Sequence, residues 1–215
     1  MGDNASIKHP SNSVRVLGVD PAAAGPTGYA IVEREDRAYR ILRYGALKVA
    51  ARRQKLSAGA VLQDVHALLC DLIEEFKPDV MAVESVFTAL NMRTALRLAE
   101  VRGVVLLAAA QNGVEVRSYS PREVKACVAG YGHADKRQVQ LMVRAQLGMK
   151  ELPEPSDAAD ALALALCHMQ NDQLERRFGV RKGDLRGTVS PQVRSRAARA
   201  GCAAIERALR IRPDR

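Results

Sequence analysis

Residues 14–33 read VRVLGVDPAAAGPTGYAIVE. Two runs rich in aliphatic and β-branched residues flank a short loop of Pro, Ala and Gly. A loop this short joins antiparallel neighbours, so the two runs are predicted to pair as strands. A third run, AYRILRYGALKV, extends them to a three-strand meander. One acid, Asp20, stands where the first strand stops. An unpaired carboxylate beside apolar surroundings is costly and needs a cation, a hydrogen-bond donor or water.

Beyond the meander, strands and helices alternate. SAGAVLQDVHALLCDLIEEF places Val61, Val65, Leu68, Leu69, Leu72 and Phe76 on one helical face, with Pro78 after its end. DVMAVES reads as a short buried strand, and TALNMRTALRLAEVRGVVLLAAAQNG as a long helix closed by Asn112 and Gly113. VEVRSY is a further strand. SPREVKACV opens a helix with Ser120 as N-cap and Pro121 at its first position. ADKRQVQLMVRAQL and SDAADALALALCHMQ supply two more helices. The chain after Gln170 is expected to be irregular as far as SRAARAGCAAIERALR, a candidate basic helix. The fold class is therefore α/β, a mixed sheet with helices on both faces.

Composition narrows the function. A chain of 215 residues fits one domain of ordinary size. Cys70, Cys127, Cys167 and Cys202 form no CxxC pair, which speaks against zinc and suits a reducing cytoplasm. Residues 1–13 are polar, lack the apolar core of a signal peptide, and are expected to be disordered. The longest uncharged stretch, residues 103–114, is too short to span a bilayer. The net charge of +9 is concentrated at one end. Residues 1–172 hold 21 Lys/Arg against 20 Asp/Glu, whereas residues 173–215 hold 12 against 4. A near-neutral domain, 14–172, thus carries an arginine-rich tail, 173–215, an arrangement suited to nucleic acid.

Four carboxylates lie where neighbouring elements converge. Asp20 and Glu84 each end a strand, and Asp157 and Asp160 open one helix, three residues apart on a shared face. Singly, each has an ordinary use: capping a turn, pairing with an arginine, or meeting the helix dipole. Gathered at one sheet edge they would repel one another, and a hard divalent cation such as Mg²⁺ resolves that repulsion. Two such ions can clamp the attacking and leaving oxygens of a phosphodiester.

In order and spacing, VLGVDP…TGYAIVE, AVESVFTALNMRTALRLAEVRG, SPREVKACVAGYGHADKRQVQLMV and SDAADALALALCH resemble the bacterial Holliday-junction resolvases of the RuvC family. The likeness runs from about Val14 to His168. It implies a ribonuclease-H-like fold and a homodimer whose subunits each nick one strand of a four-way DNA junction in recombination and repair. It also implies two Mg²⁺ ions per site, with Mn²⁺ as a substitute, and a branch-migration motor complex as a further partner. Asp20, Glu84, Asp157 and Asp160 match the family's metal-binding tetrad, and Phe87 an aromatic that stacks on a base near the junction centre. Lys125 and Lys136 match basic residues that contact DNA; Arg93 and Arg97 are added as candidate DNA contacts. His168, two helical turns past Asp160, is read as structural. The chain departs from the family pattern in the loop after Asp20, at His133 and in the tail.

Two other readings compete. An actin-like kinase or ATPase has a similar first strand and phosphate loop but needs two such domains, which this length barely permits. A non-catalytic junction-binding protein would have no need of four retained carboxylates.

Overall fold

The structure, a computed structural model, describes residues 13–22, 26–47, 58–85 and 92–179. Of the segment 1–13 expected to be disordered, residues 1–12 lie outside the described residues, as do Phe87 and the tail from residue 180, whereas Ser13 is already the first residue of a strand.

Three strands open the fold: β1 (Ser13–Asp20), β2 (Thr27–Glu35) and β3 (Ala38–Leu47). They form the antiparallel meander expected from their short connections, with Asp20 opposite Gly28. Helix α1 (Ala58–Phe76) then crosses to β4 (Val80–Glu84), which pairs parallel with β1. Helix α2 (Met92–Gln111) crosses to β5 (Glu115–Tyr119), parallel to β4. Helices α3 (Pro121–Ala129), α4 (Lys136–Gln146) and α5 (Ser156–Phe178) complete the chain. The sheet order is β3-β2-β1-β4-β5.

Helices cover both faces, and strand alternation divides two cores between them. Leu17, Val19, Met81 and Val83 point to α1 and α2, where Val65, Leu69, Leu72, Ile73, Val101 and Val105 are buried. Val14, Val16, Val80 and Ala82 point to α5, backed by Val124, Val128, Val139 and Val143 of α3 and α4. Asp20 and Glu84 continue the second series, so chain parity alone assigns both acids to the α5 face.

Helix α5 lies unusually close to the sheet. A Cβ on Gly18 would stand 2.1 Å from the Ala161 carbonyl oxygen, and one on Gly28 2.0 Å from that of Asp157. Ala158, Ala159, Ala161, Ala163 and Ala165 make the helix equally thin and are all buried. Backbone therefore meets backbone, and the first turns of α5 are seated directly above β1 and β2.

The ends of α3 and α4 follow local chemistry. Ser120 and Asp135 are N-caps, each with a reciprocal capping box to Glu123 and Gln138. Two expectations are corrected. Ile73 joins the buried face of α1, where Val61 is only partly covered. Most importantly, α5 does not end at Gln170 but runs to Phe178, through the expected 172/173 boundary. Arg34 of β2 holds that extension, donating to the Met169 carbonyl and to Asp172, each at 2.9 Å.

Candidate active site

Register, packing and capping each place one part of the site. Asp20 and Glu84 are the last residues of adjacent parallel strands, one step past the aligned pair Val19 and Val83. Asp160 projects from the second turn of α5 toward them, at the height that Gly18 and Gly28 permit. Lys136, first residue of α4, donates from Nζ to Asp160 Oδ2 at 2.8 Å. Lys125 comes from α3. Together Glu84, Lys125, Lys136 and Asp160 line a cleft of about 230 Å³, walled by Pro121, Val124, Val139, Ala163 and Leu164.

The electrostatics are those of crowded acids. Burial, then the Glu84 charge and a hydrogen bond shared with it, hold the Asp20 carboxyl far above the usual carboxylate range; Asp160 and Asp157 add to the effect. Burial also lifts Glu84, with Asp160 adding to the rise and the Asp20 hydrogen bond, Lys136 and Lys125 opposing it. Asp160 is raised by burial despite its bond to Lys136. Burial works to lower Lys136, but the hydrogen bond and charge of Asp160, with Asp157 and Asp20, raise it overall. Lys136 therefore stays a cation and stands beside the acids, in direct contact with Asp160, while Lys125 lines the same cleft.

The donor set fits a hard divalent cation: every candidate ligand is a carboxylate oxygen, and the acids raise one another's affinity for positive charge. In this structure the acids are not closed around a point; among the described residues no three His, Cys, Asp or Glu side chains stand at ion-holding spacing. Lys136 takes up one Asp160 oxygen instead.

Other sequence candidates separate from the cleft. Arg93 and Arg97 are exposed on the first turns of α2, which lies on the opposite face from α5. Because β4 and β5 are parallel, those turns begin at the same sheet edge as Glu84. His168 is buried, its Nδ1 2.7 Å from the Tyr119 hydroxyl, and burial pushes its pKa down to about 4. It is structural, as expected. Nothing in the sequence marks Gly18 and Gly28 as part of the site, because a glycine within a strand pattern signals close approach without naming what approaches.

The description "Crossover junction endodeoxyribonuclease RuvC" matches residues 16–168. The chain belongs to the RuvC family. RuvC of Chloroflexus aggregans is 45% identical over 167 residues, covering 78% of this chain and 99% of the relative. RuvC of Halothermothrix orenii is 40% identical over 166 residues, 77% of this chain and 98% of the relative. Among solved structures, Thermus thermophilus RuvC in complex with Holliday junction substrate superposes with a TM-score of 0.69 at 35% identity, over 75% of this chain and 96% of that one. The yeast mitochondrial Holliday junction resolvase shares the fold, with a TM-score of 0.58 at 16% identity. The RuvC match ends at His168, so the last turns of α5 lie beyond it. Membership also retires the kinase reading.

Proposed function

We propose that this RuvC-family chain is a nuclease that resolves four-way DNA junctions in the cytoplasm by paired nicks across a homodimer. The observation that carries the reading is the meeting of Asp20, Glu84 and Asp160 with Lys136 and Lys125 at one sheet edge. Asp20, Glu84, Asp157 and Asp160 would hold Mg²⁺. When bound, the metal would polarise the scissile phosphate and supply hydroxide from bound water. The chain's own residues do the rest. Lys136 neutralises Asp160 until the phosphate arrives and then serves as a cation for it. Lys125 draws the backbone into the cleft. The apolar wall of Val124, Val139 and Leu164 limits water on one side. Phe87, three residues past Glu84, stacks on a base near the junction centre, and Arg93 and Arg97 extend the positive rim.

Dimerisation is assigned to α2. Met92, Leu96 and Leu107 are exposed along it, and Gly103 between them has open space around its would-be Cβ. A second copy of α2 can approach closely there, whereas Gly103 does not pack against its own sheet. The domain is taken to run from residue 14 to the end of α5, with the basic tail beyond adding sequence-independent affinity for DNA.

The test is a nicking assay on a synthetic four-way junction. Mg²⁺ should give symmetrical nicks in two strands, with plain duplex uncut. Junction binding without cleavage at any Mg²⁺ or Mn²⁺ concentration returns the non-catalytic reading.

A further inference from the structure

The loop between α3 and α4 presents a feature that the acids and lysines do not use. Tyr131 is 47% exposed, in a chain with only five Tyr and three Phe. Its hydroxyl donates to Gln138 Oε1, the same oxygen that accepts the Asp135 N–H at 2.9 Å, while Asp135 Oδ1 accepts the Gln138 N–H at 2.8 Å. The ring is thus tied into the capping box of α4. The loop itself is pinned. Gly130 closes α3 at φ 86°, Ala134 is buried, and Gly132 lies so close to the Arg122 stem that a Cβ there would come within 2.6 Å of Cγ.

Two consequences follow. The hydroxyl is committed within the protein, so the ring face is what Tyr131 offers to a ligand. The ring is also held in place before any ligand comes, which lowers the conformational cost of using it. Its setting is cationic. The loop joins the two helices whose Lys125 and Lys136 line the cleft, and Arg122 and Arg137 are exposed on either side. Among the described residues the other exposed large apolar side chains lie elsewhere, on β3, α2 and the end of α5, so the loop carries no apolar patch for a protein partner. A π-face amid cations fits a nucleotide whose base is unstacked.

We propose that Tyr131, on the loop that joins the two helices bearing the cleft lysines, is a stacking platform that holds an unpaired base of the strand that is cut. This rests on the junction-nuclease reading and adds to it a residue that neither composition nor motif spacing singled out. Stacking is sequence-tolerant and acts on the geometry of the bound strand more than on overall affinity, which phosphate contacts dominate.

The test uses full-length protein and a four-way junction carrying 2-aminopurine beside the cleavage point. With wild type, the base analogue is quenched by stacking in metal-free complex. Tyr131→Ala and Tyr131→Leu should lose that quenching and slow single-turnover cleavage about tenfold, with duplex affinity kept. Tyr131→Phe, which retains the ring, should recover most of the quenching and rate. Wild-type cleavage by Tyr131→Ala overturns the proposal. So does a Tyr131→Phe as impaired as Tyr131→Ala, because the hydroxyl tether would then be what matters. Failure of wild type to nick any junction overturns the nuclease reading as well, and is distinguished by that control.

Discussion

The two faces of the sheet are built from alternate residues of the same strands yet solve opposite problems. The face under α1 and α2 is filled by Leu17, Leu69, Leu72, Ile73 and Met81, side chains large enough to hold helix and sheet apart. The face under α5 is thin: Gly18 and Gly28 meet the alanines of the helix, and the strands end there in Asp20 and Glu84. Bulk gives one face its stability by burial. Close approach gives the other a place where acids from separate elements are forced together. A core and a reactive site can thus share one strand, because successive residues never see each other's environment.

The comparison is broken most severely by Asp20→Asn. Cleavage should fall on the order of a thousandfold, since the proposed ligand set loses an oxygen and a charge. Metal-free junction affinity, measured in EDTA, should be equal or higher, because a negative charge near phosphates has been removed. Next comes Gly28→Ala. The added methyl must push the Asp157 backbone away, and a shift of about 1 Å should cost about a hundredfold in rate. The half-saturating Mg²⁺ concentration should rise with it, which a loss of folding alone would not produce.

Leu69→Ala probes the other face. Removing a fully buried side chain should lower stability by about 2–5 kcal/mol in urea titration, while the cleavage rate per folded molecule is unchanged. Loss of catalysis without loss of stability would erase the division between faces. A milder test uses His168, whose folded pKa is about 4 against the ordinary histidine value of 6.5. Burial is the main cause, and the Arg117 charge adds to it against the pull of Asp172 and Glu175. Below pH 6.5 the unfolded chain takes up a proton that the folded one refuses. Stability therefore falls as pH drops from about 6.5 to about 4, by roughly 3 kcal/mol in all. His168→Gln should remove that slope from melting temperatures recorded across the window. Truncation after Gly179 should have the smallest effect on chemistry. Single-turnover cleavage at saturating protein should stay the same, while the log–log salt slope of DNA binding flattens by about 3 if three or four arginines engage phosphates.

Much of this was legible because it rests on local pattern. The alternation in VRVLGVD and GYAIVER carried both the pairing and the placing of Asp20, and Ser120 with Pro121 marked the start of α3. What escaped depends on partners distant in the chain. Asp160 and Lys136 are 24 residues apart, and no spacing rule joins them. The end of α5 is hard to read because NDQLERRF is polar but for Leu174 and Phe178; its helix is held by Arg34, which meets Asp172 across 138 residues of sequence. The tie between Tyr131 and Gln138 was hidden for a different reason: a tyrosine between two glycines reads as loop.

The meeting of backbones at Gly18 and Gly28 also bears on how such a site can change over generations. Every residue other than glycine places its first side-chain carbon at the same point, so these positions offer no graded series of alternatives. Alanine meets the carbonyl oxygen of α5 as fully as valine does. Drift there is all or nothing, and inherited adjustment of the distance between the strand acids and the helix acids has to come from the α5 side of the contact.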